Sequence, residues 1–350
     1  METFWYGAVT LMLAMYVVLD GYDFGVGIAY LFVARTESER RMAAATISPA
    51  MSGNEVWLIA GGGVLFLAFP RAYAAGFSGF YLALMIVLWL LIGRGLAFEL
   101  RSHLDHPLWR RLCDVAFAWA SLLLAIVFGA ALGNLIRGVP LNADGYFFVA
   151  FWTDFHTSPD PGILDWFTLL MGLTSAVILT WHGANYLAMR TTGELQTKAR
   201  AVATWSGYGT AVLVALVLSA VSVVQPGFRL NYDTHPIGYG LPLIGVTALA
   251  AGIIFRTHNR DVVVFSSSSL LLLGLLAGTA WGSYPNILIA TTDPSHSLTI
   301  TNASAGPYGL QVAVWWFTIG LALVVTYQAS IHRLFWEPGK RGPIVPSAHE

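Results

Sequence analysis

Residues 4–33 read FWYGAVTLMLAMYVVLDGYDFGVGIAYLFV, an apolar run in which only Asp20 and Asp23 are charged. A helix of about 20 apolar residues spans the ~30 Å hydrocarbon core of a bilayer. The run is longer than the apolar part of a secretory signal peptide, and residues 1–10 lack the basic segment and cleavage site of one. The stretch therefore predicts a first transmembrane helix that is retained.

Eight further apolar runs follow along the chain. Helices and closed barrels are the structures that satisfy backbone groups in lipid, and these runs lack the alternation of barrel strands. The nine runs cover residues 4–33, 53–70, 73–100, 112–136, 163–189, 201–224, 237–255, 262–283 and 308–334. They predict an all-α polytopic membrane protein that forms a single integral membrane domain over residues 1–350.

The composition excludes several other classes of protein. Hydrophobic residues make up 56% of the chain and charged residues 11%, whereas soluble domains carry roughly 25% charged residues. A large soluble domain, a disordered chain and a basic nucleic-acid-binding surface are therefore excluded. Cys113 is the single cysteine, which leaves no disulfide framework and no c-type heme attachment site.

The basic residues predict the orientation, because Lys and Arg concentrate in cytoplasmic loops. The loops after spans one, three, five and seven, together with the carboxyl tail, carry 14 of the 18 basic residues, and Arg94 lies within the third span. This distribution predicts an odd number of spans, a periplasmic amino terminus and a cytoplasmic carboxyl terminus. The topology permits two four-helix units, 1–137 and 163–283, followed by one extra helix over 308–336.

Ionisable side chains at membrane depth cost about 3 kcal/mol even on insertion scales, so each is a candidate functional residue. Polar and charged residues of this kind collect toward the cytoplasmic half of the first four spans: Asp20, Asp23, Asn54, Glu55, Arg94, Glu99 and Asp114. One interpretation is a structural network in which Arg94 neutralises one or two carboxylates, while Glu99 and Asp114 extend to the interface. The other is a proton path through Asp20, Asp23 and Glu55.

The histidines argue against a heme or metal site within this chain. Heme ligation across a bundle usually needs His or Met from facing helices, and only His182 lies well within a span. We expect His182 to form hydrogen bonds between helices. The glycine clusters that include Gly21, Gly25 and Gly61 do not follow a β-strand, so they predict helix packing and not phosphate binding.

Three strings carry a resemblance to a known family: LDGYDFGVG at 19–27, GNEVWL at 53–58 and AAGFSGFY at 74–81. Further matches follow in order within 94–101, 133–140, 183–191 and 284–304. Together they extend over nearly the whole chain. The sequence resembles subunit II of cytochrome bd-type quinol oxidases.

The resemblance implies a nine-helix subunit built as two four-helix bundles plus one peripheral helix. It implies a heterodimer with a larger subunit I in the bacterial cytoplasmic (inner) membrane, where ubiquinol or menaquinol is oxidised, dioxygen is reduced to water and proton motive force is generated. Heme b and heme d are then expected on subunit I, so no catalytic residue and no metal is expected in this chain. Some members also hold a structural quinone or small accessory single-helix subunits.

The resemblance also assigns proton-path candidates by position: Asp20 and Asp23 in helix one, Asn54, Glu55 and Trp57 in helix two, and Arg94 in helix three. The chain departs from the family at Met51 and Ser52, where an aromatic and an acidic residue are usual. Ser52 can orient a water molecule but cannot hold a titrating proton near neutrality. The implied path is therefore either rerouted through Glu55 or Asp20, or absent.

Two other functions suit part of the pattern. Buried carboxylates together with Arg94 would also suit a proton-coupled membrane transporter or channel, although the odd number of spans gives no inverted repeat. A purely structural membrane scaffold is the third interpretation. In that case an assembled complex would stay active after all the buried acids were neutralised.

Overall fold

The computed structural model describes residues 1–157 and 161–334. The helices of this part are α1 (Glu2–Val33), α2 (Glu37–Ile47), α3 (Met51–Ala68), α4 (Pro70–Gly79), α5 (Tyr81–Leu100), α6 (Pro107–Arg137), α7 (Trp166–Arg190), α8 (Gly193–Val224), α9 (Gly227–Thr234), α10 (Gly240–Arg256), α11 (Asp261–Ser283) and α12 (Pro307–Leu334). All except α2, α4 and α9 are long and apolar enough to cross a membrane, α10 together with the 3-10 turn Pro236–Tyr239 before it. Within the described residues, the prediction of nine spans is confirmed.

The third predicted run is not one continuous helix. Residues 73–100 fall on α4 and α5, which are separated at Phe80, whose φ of −94° and ψ of 20° leave the helical region. α4 begins at Pro70, whose missing N–H suits the first turn of a helix. Phe69 ends α3, because a residue that precedes proline disfavours helical dihedrals. Lys340, Arg341 and the last residues of the predicted helix 308–336 lie outside the described residues.

Helix α1 lies at the centre of the structure and packs against α3, α6, α7 and α11. Its most apolar 18-residue window is 78% buried, whereas that of α12 is 6% buried. Asp20 and Asp23 lie on α1 and are both fully buried. The central helix therefore carries two carboxylates into the protein interior. The division of the chain into two four-helix bundles stays a prediction.

At each end of the molecule, the segments that connect the spans contact one another or the neighbouring helix ends. At one end, Arg40 on α2 forms an ion pair with Asp114 near the start of α6. At the other end, Val139 pairs with Ala290 in a β-bridge, beside two short antiparallel strands, β1 (Asn286–Leu288) and β2 (Leu298–Thr299). The segments that follow spans one and three therefore lie together. Which end faces the cytoplasm stays a prediction.

Two helix backbones approach closely where α1 crosses α7. A Cβ atom at Gly25 would overlap the Leu179 carbonyl oxygen and stand 2.6 Å from the Gly183 nitrogen. Backbone atoms cannot yield as a flexible side chain can, so the helices would have to separate. We therefore expect Gly25→Ala to destabilise the folded protein by at least the ~1–3 kcal/mol that overpacking typically costs, measured as thermal unfolding in detergent.

Gly7→Ala on the same helix is the matched control. Nothing lies within 4 Å of a Cβ atom at Gly7, and alanine is favoured over glycine in a helix by about 1 kcal/mol. This variant should unfold at or above the wild-type midpoint. Equal midpoints for the two alanine variants would contradict backbone-close packing of α1 on α7.

Candidate functional site: the carboxylates around Arg94

An ion pair between α1 and α5 forms the centre of the site. Arg94 Nη2 lies 2.9 Å from Asp20 Oδ1, and Arg94 Nη1 lies 3.3 Å from Asp20 Oδ2. Both side chains are fully buried, and the guanidinium carbon stands 4.3 Å from the centre of the Phe24 ring. A bidentate pair adds geometric specificity to its charge neutralisation. The pair therefore fixes how α1 and α5 are rotated about their axes relative to each other.

Glu55 on α3 joins this pair from the direction of the protein surface. Arg94 Nη1 lies 3.2 Å from Glu55 Oε1, and the Glu55 side chain is 38% exposed. Arg94 thus contacts one fully buried carboxylate and one that reaches the surface. The network connects the interior with the outward side of α3.

Asp23, one helical turn after Asp20, is surrounded by neutral polar groups. Its Oδ2 accepts a 2.8 Å hydrogen bond from Asn54 Nδ2, which also lies 2.7 Å from the Tyr22 hydroxyl. Asn54 Oδ1 accepts a 2.6 Å bond from Gln328 Nε2 on α12. Asp23 Oδ1 has no hydrogen-bond partner among the described residues. The carboxylate is therefore buried with one oxygen available to a proton or a water molecule.

Several other polar atoms of these helices are buried without a partner in the described ranges: Tyr16 Oη, Trp57 Nε1, Arg94 Nε and Gln328 Oε1. Tyr16 stands one turn before Asp20 on α1. Buried polar groups are normally hydrogen-bonded to protein or to ordered water. These unpartnered donors and acceptors, on α1, α3, α5 and α12, are therefore suited to binding ordered water in the interior.

Glu99 and Ser52 lie apart from this network. Both are exposed, Glu99 near the end of α5 and Ser52 in the first turn of α3. The exposure of Glu99 agrees with the interpretation that it extends to the interface. Ser52, where the resemblance led us to expect an acid, makes no side-chain hydrogen bond to the buried groups.

Asp114 forms a second, separate network. Its carboxylate is 1% exposed and is bound by Arg40 at 2.9 Å, by Arg101 at 2.6 Å and by the Tyr30 hydroxyl at 2.8 Å. Arg101 also binds Glu37 on α2 at 2.9 Å. Asp114 does not reach solvent, because Arg40 and Arg101 cover it; its position relative to the membrane interface stays a prediction. Asp114 joins α1, α2 and α6 at this end of the molecule.

The second network gives an expected pH dependence. The Arg101 guanidinium, hydrogen-bonded to Glu37, lowers the pKa of that carboxyl from 4.5 to about 2. A lowered carboxyl pKa stabilises the fold above about pH 4.5, and the contribution is lost as the pH falls toward 2. Glu37→Gln should therefore lower the thermal midpoint at pH 7, and the difference from wild type should close between pH 4.5 and 2.

The size of this effect is limited by solvent. The Glu37 side chain is 37% exposed, so we expect a small difference that shrinks further with added salt. A difference that persists unchanged at low pH and high salt would assign the effect to packing and not to charge.

Sequence patterns did not single out two other polar contacts. At the loop-rich end, Arg137 on α6 is 3% exposed, binds Asp165 at the start of α7, and donates to Asn134 Oδ1 at 2.8 Å. The string at 133–140 contains Asn134 and Arg137, but no local spacing connects them with Asp165. Gln328 is an amide within an apolar span, and this polarity was the available signal for its buried contact.

His182 is a hydrogen-bonded residue between helices, as predicted. Its Nδ1 lies 2.7 Å from Ser268 Oγ, its Nε2 lies 2.9 Å from the Val18 carbonyl oxygen, and its ring stacks on Phe265. Because both ring nitrogens are engaged, His182 does not fit the role of a heme ligand. Over the described ranges, no group of three or more His, Cys, Asp or Glu side chains is arranged to hold a metal ion.

Comparison with known proteins supplies the family. Residues 1–335 match the family described as cytochrome bd terminal oxidase subunit II. Cytochrome bd-I ubiquinol oxidase subunit 2 of Escherichia coli (strain K12) is 32% identical, with 93% of this chain and 91% of that protein covered. Cytochrome bd ubiquinol oxidase subunit 2 of Bacillus subtilis (strain 168) is 32% identical, with 88% of each covered.

The fold agrees with a solved structure. A chain of the bd oxidase from Geobacillus thermodenitrificans superimposes with a TM-score of 0.73 at 18% identity, and the match covers 95% of this chain and 98% of that one. The similarity extends across the nine spans and is not confined to one motif. This chain belongs to the cytochrome bd terminal oxidase subunit II family.

Proposed function

We propose that this chain is the subunit of a bd-type oxidase that binds no heme and supplies a path for protons. Family membership makes it part of a quinol:oxygen oxidoreductase whose partner is subunit I. We assign heme b and heme d to that partner, where they transfer electrons from quinol to dioxygen. Each water formed from dioxygen takes up protons as well as electrons, so protons need a route through the protein.

One observation carries the proposal: Asp23 is fully buried, and one of its carboxylate oxygens has no partner among the described residues. A fully paired carboxylate such as Asp114 holds its charge in place, whereas one with an open oxygen can accept and release a proton. We therefore assign Asp23 as a proton relay. The Asp20–Arg94 pair stabilises the charges beside it, and Glu55 is the group nearest the surface.

We propose that the outward face of α3 contacts subunit I. Exposed residues recur on it at helical spacing: Ser52, Val56, Ile59, Gly63 and Phe66. Glu55 borders this face and is half-exposed. A carboxylate against lipid is costly, whereas a partner with polar groups or trapped water can satisfy it. Subunit I on this face would enclose Glu55 and continue the path.

We place the chain in the bacterial cytoplasmic membrane with its amino terminus in the periplasm. The excess of basic residues on one set of loops supports this orientation, and the two bundles, 1–137 and 163–283, with α12 outside them belong to the same proposal. Protons would then reach Asp23 from the cytoplasm. Moving one charge across 100 mV is worth about 2.3 kcal/mol, so this uptake conserves energy as proton motive force.

The test is copurification with subunit I. The tagged chain is purified in detergent from native membranes and, separately, after expression alone, and reduced-minus-oxidised visible spectra and quinol-dependent oxygen uptake are measured. We expect heme signals and oxygen uptake only where the larger subunit copurifies. Heme bound to the folded chain alone would overturn the assignment of the hemes, and a colourless, partner-free protein from native membranes would overturn the oxidase role.

The alternative of a proton-coupled transporter or channel is not supported. The family match covers residues 1–335 and both curated relatives described above are oxidase subunits by name. The buried carboxylates therefore belong to a respiratory enzyme.

A further inference from the structure

We propose that protons reach Asp23 through a crevice between the turn before α3, the end of α7 and the end of α12, and that Tyr186 and Tyr22 relay them. This inference rests on the proton path proposed above and adds the opening from which it starts. On the proposed orientation, the crevice faces the cytoplasm.

The crevice is small and partly polar. Thr46, Ala50, Tyr186, Arg190 and His332 are among the residues that line it, and its free volume is about 20 Å³. A cavity needs ~10–15 Å³ of such free volume to hold one water molecule, so the crevice admits one. Hydroxyl and imidazole groups can both accept and donate hydrogen bonds. The opening can therefore deliver a proton to the side chains in its wall.

Tyr186 connects the crevice with the interior. Its hydroxyl donates a 2.9 Å hydrogen bond to the Thr46 carbonyl oxygen and also interacts with Arg190 and with the Tyr22 hydroxyl. The rings of Tyr186 and Tyr22 stack with their centroids 4.1 Å apart and their planes 14° apart. Tyr22 is 1% exposed and lies on α1 beside Asp23. Two adjacent hydroxyls thus lead from the opening to the central helix.

Asn54 marks the last step. Its Nδ2 lies 2.7 Å from the Tyr22 hydroxyl and 2.8 Å from Asp23 Oδ2. Because the Tyr22 hydroxyl oxygen and Asp23 Oδ2 both contact Asn54 Nδ2, they are close enough for one water molecule to bridge them. As the Tyr186 hydroxyl turns from Thr46 toward Tyr22, each tyrosine accepts a proton on its oxygen and releases its own. Neither tyrosine is ionised, and the transferred proton ends on the Asp23 carboxylate.

This route does not pass through position 52. Ser52 is exposed and makes no side-chain hydrogen bond to the buried groups. The lack of an acid at Ser52 is therefore compatible with an intact path, which the tyrosine pair supplies from another direction.

The test replaces each hydroxyl in the assembled oxidase. We expect Tyr186→Phe and Tyr22→Phe each to lower kcat by about tenfold, which is below the usual range for a lost proton-transfer group, with KM for quinol unchanged and a larger solvent isotope effect. Tyr6→Phe is the matched control, since Tyr6 is a tyrosine on the same helix whose hydroxyl donates to the Ala280 carbonyl oxygen at 2.7 Å. This control should keep the wild-type kcat.

Ala50→Leu provides an independent variant, because it narrows the crevice and removes no hydroxyl. It should also lower kcat. If Tyr22→Phe does not assemble, Ala50→Leu and Tyr186→Phe together still test the route through the crevice. Normal turnover in these variants, with slow turnover in Asp23→Asn, would overturn the tyrosine route and leave the proton path standing. Normal turnover in Asp23→Asn as well would overturn the path itself. A lower kcat with an unchanged isotope effect would make the tyrosines structural and overturn their relay role.

Discussion

Arg94→Leu is expected to prevent recovery of a stable oxidase, because it leaves Asp20 buried without its counter-ion. The two side chains are fully buried and joined by bonds of 2.9 and 3.3 Å. Removing one partner of a buried ion pair costs about 3–5 kcal/mol, which is a large part of the total stability of most folded proteins. The yield of assembled complex and its thermal midpoint measure the effect.

Two comparisons separate charge from loss of a large side chain. Arg41→Leu removes an arginine that is 65% exposed and paired with Glu37 at 3.1 Å, and exposed pairs contribute only about 0–1 kcal/mol. The double variant Arg94→Leu/Asp20→Leu removes both buried charges and should recover much of the lost stability, since apolar replacements of a buried pair are often neutral. Wild-type stability of Arg94→Leu alone would contradict a neutralising role for this arginine.

Asp23→Asn is expected to lower quinol-dependent oxygen uptake by about 10²-fold, the lower end of what a positioned proton-transfer group contributes. Asparagine keeps an oxygen that can accept the bond from Asn54 Nδ2, so the complex should assemble. It cannot hold and release a proton as the carboxylate does. Oxygen uptake per assembled complex and the rate of proton uptake from the cytoplasmic side are the measurements.

Asp105→Asn is the matched control for this substitution. Asp105 is 91% exposed and pairs with Arg110 at 2.6 Å, whereas Asp23 is fully buried. The Asp105→Asn variant should keep wild-type turnover. Asp23→Glu retains a titrating group and should recover part of the activity. Unchanged oxygen uptake in Asp23→Asn would remove Asp23 from the proton path.

Much of the fold could be predicted from the sequence. Nine apolar runs predicted nine spans, because backbone groups in lipid have to be satisfied within helices and the side chains have to be apolar. The break between α4 and α5 was missed, since Phe80 is as apolar as its neighbours and hydropathy does not report a turn. The short helix α2 was also missed, as its capping box of Thr36 and Glu39 lies in a polar loop.

The candidate site could be predicted only in part. The grouping of Asp20, Glu55 and Arg94 was one interpretation of the charges, and the contacts agree with it. The same interpretation had Asp114 extend to the interface and did not predict that two arginines bury it. Charge count indicates that acids need partners, but it does not assign each acid to its arginine.

The sequence by itself determined the number of spans, the side on which basic residues collect and the family to which the chain belongs. The tertiary structure alone decided that Arg94 meets Asp20, 74 residues away, and that Tyr186 stacks on Tyr22. The reason is that residues facing lipid and residues facing other helices are similarly apolar in a membrane protein. Hydropathy therefore carries little information about how each helix is rotated, and only packing brings these particular side chains together.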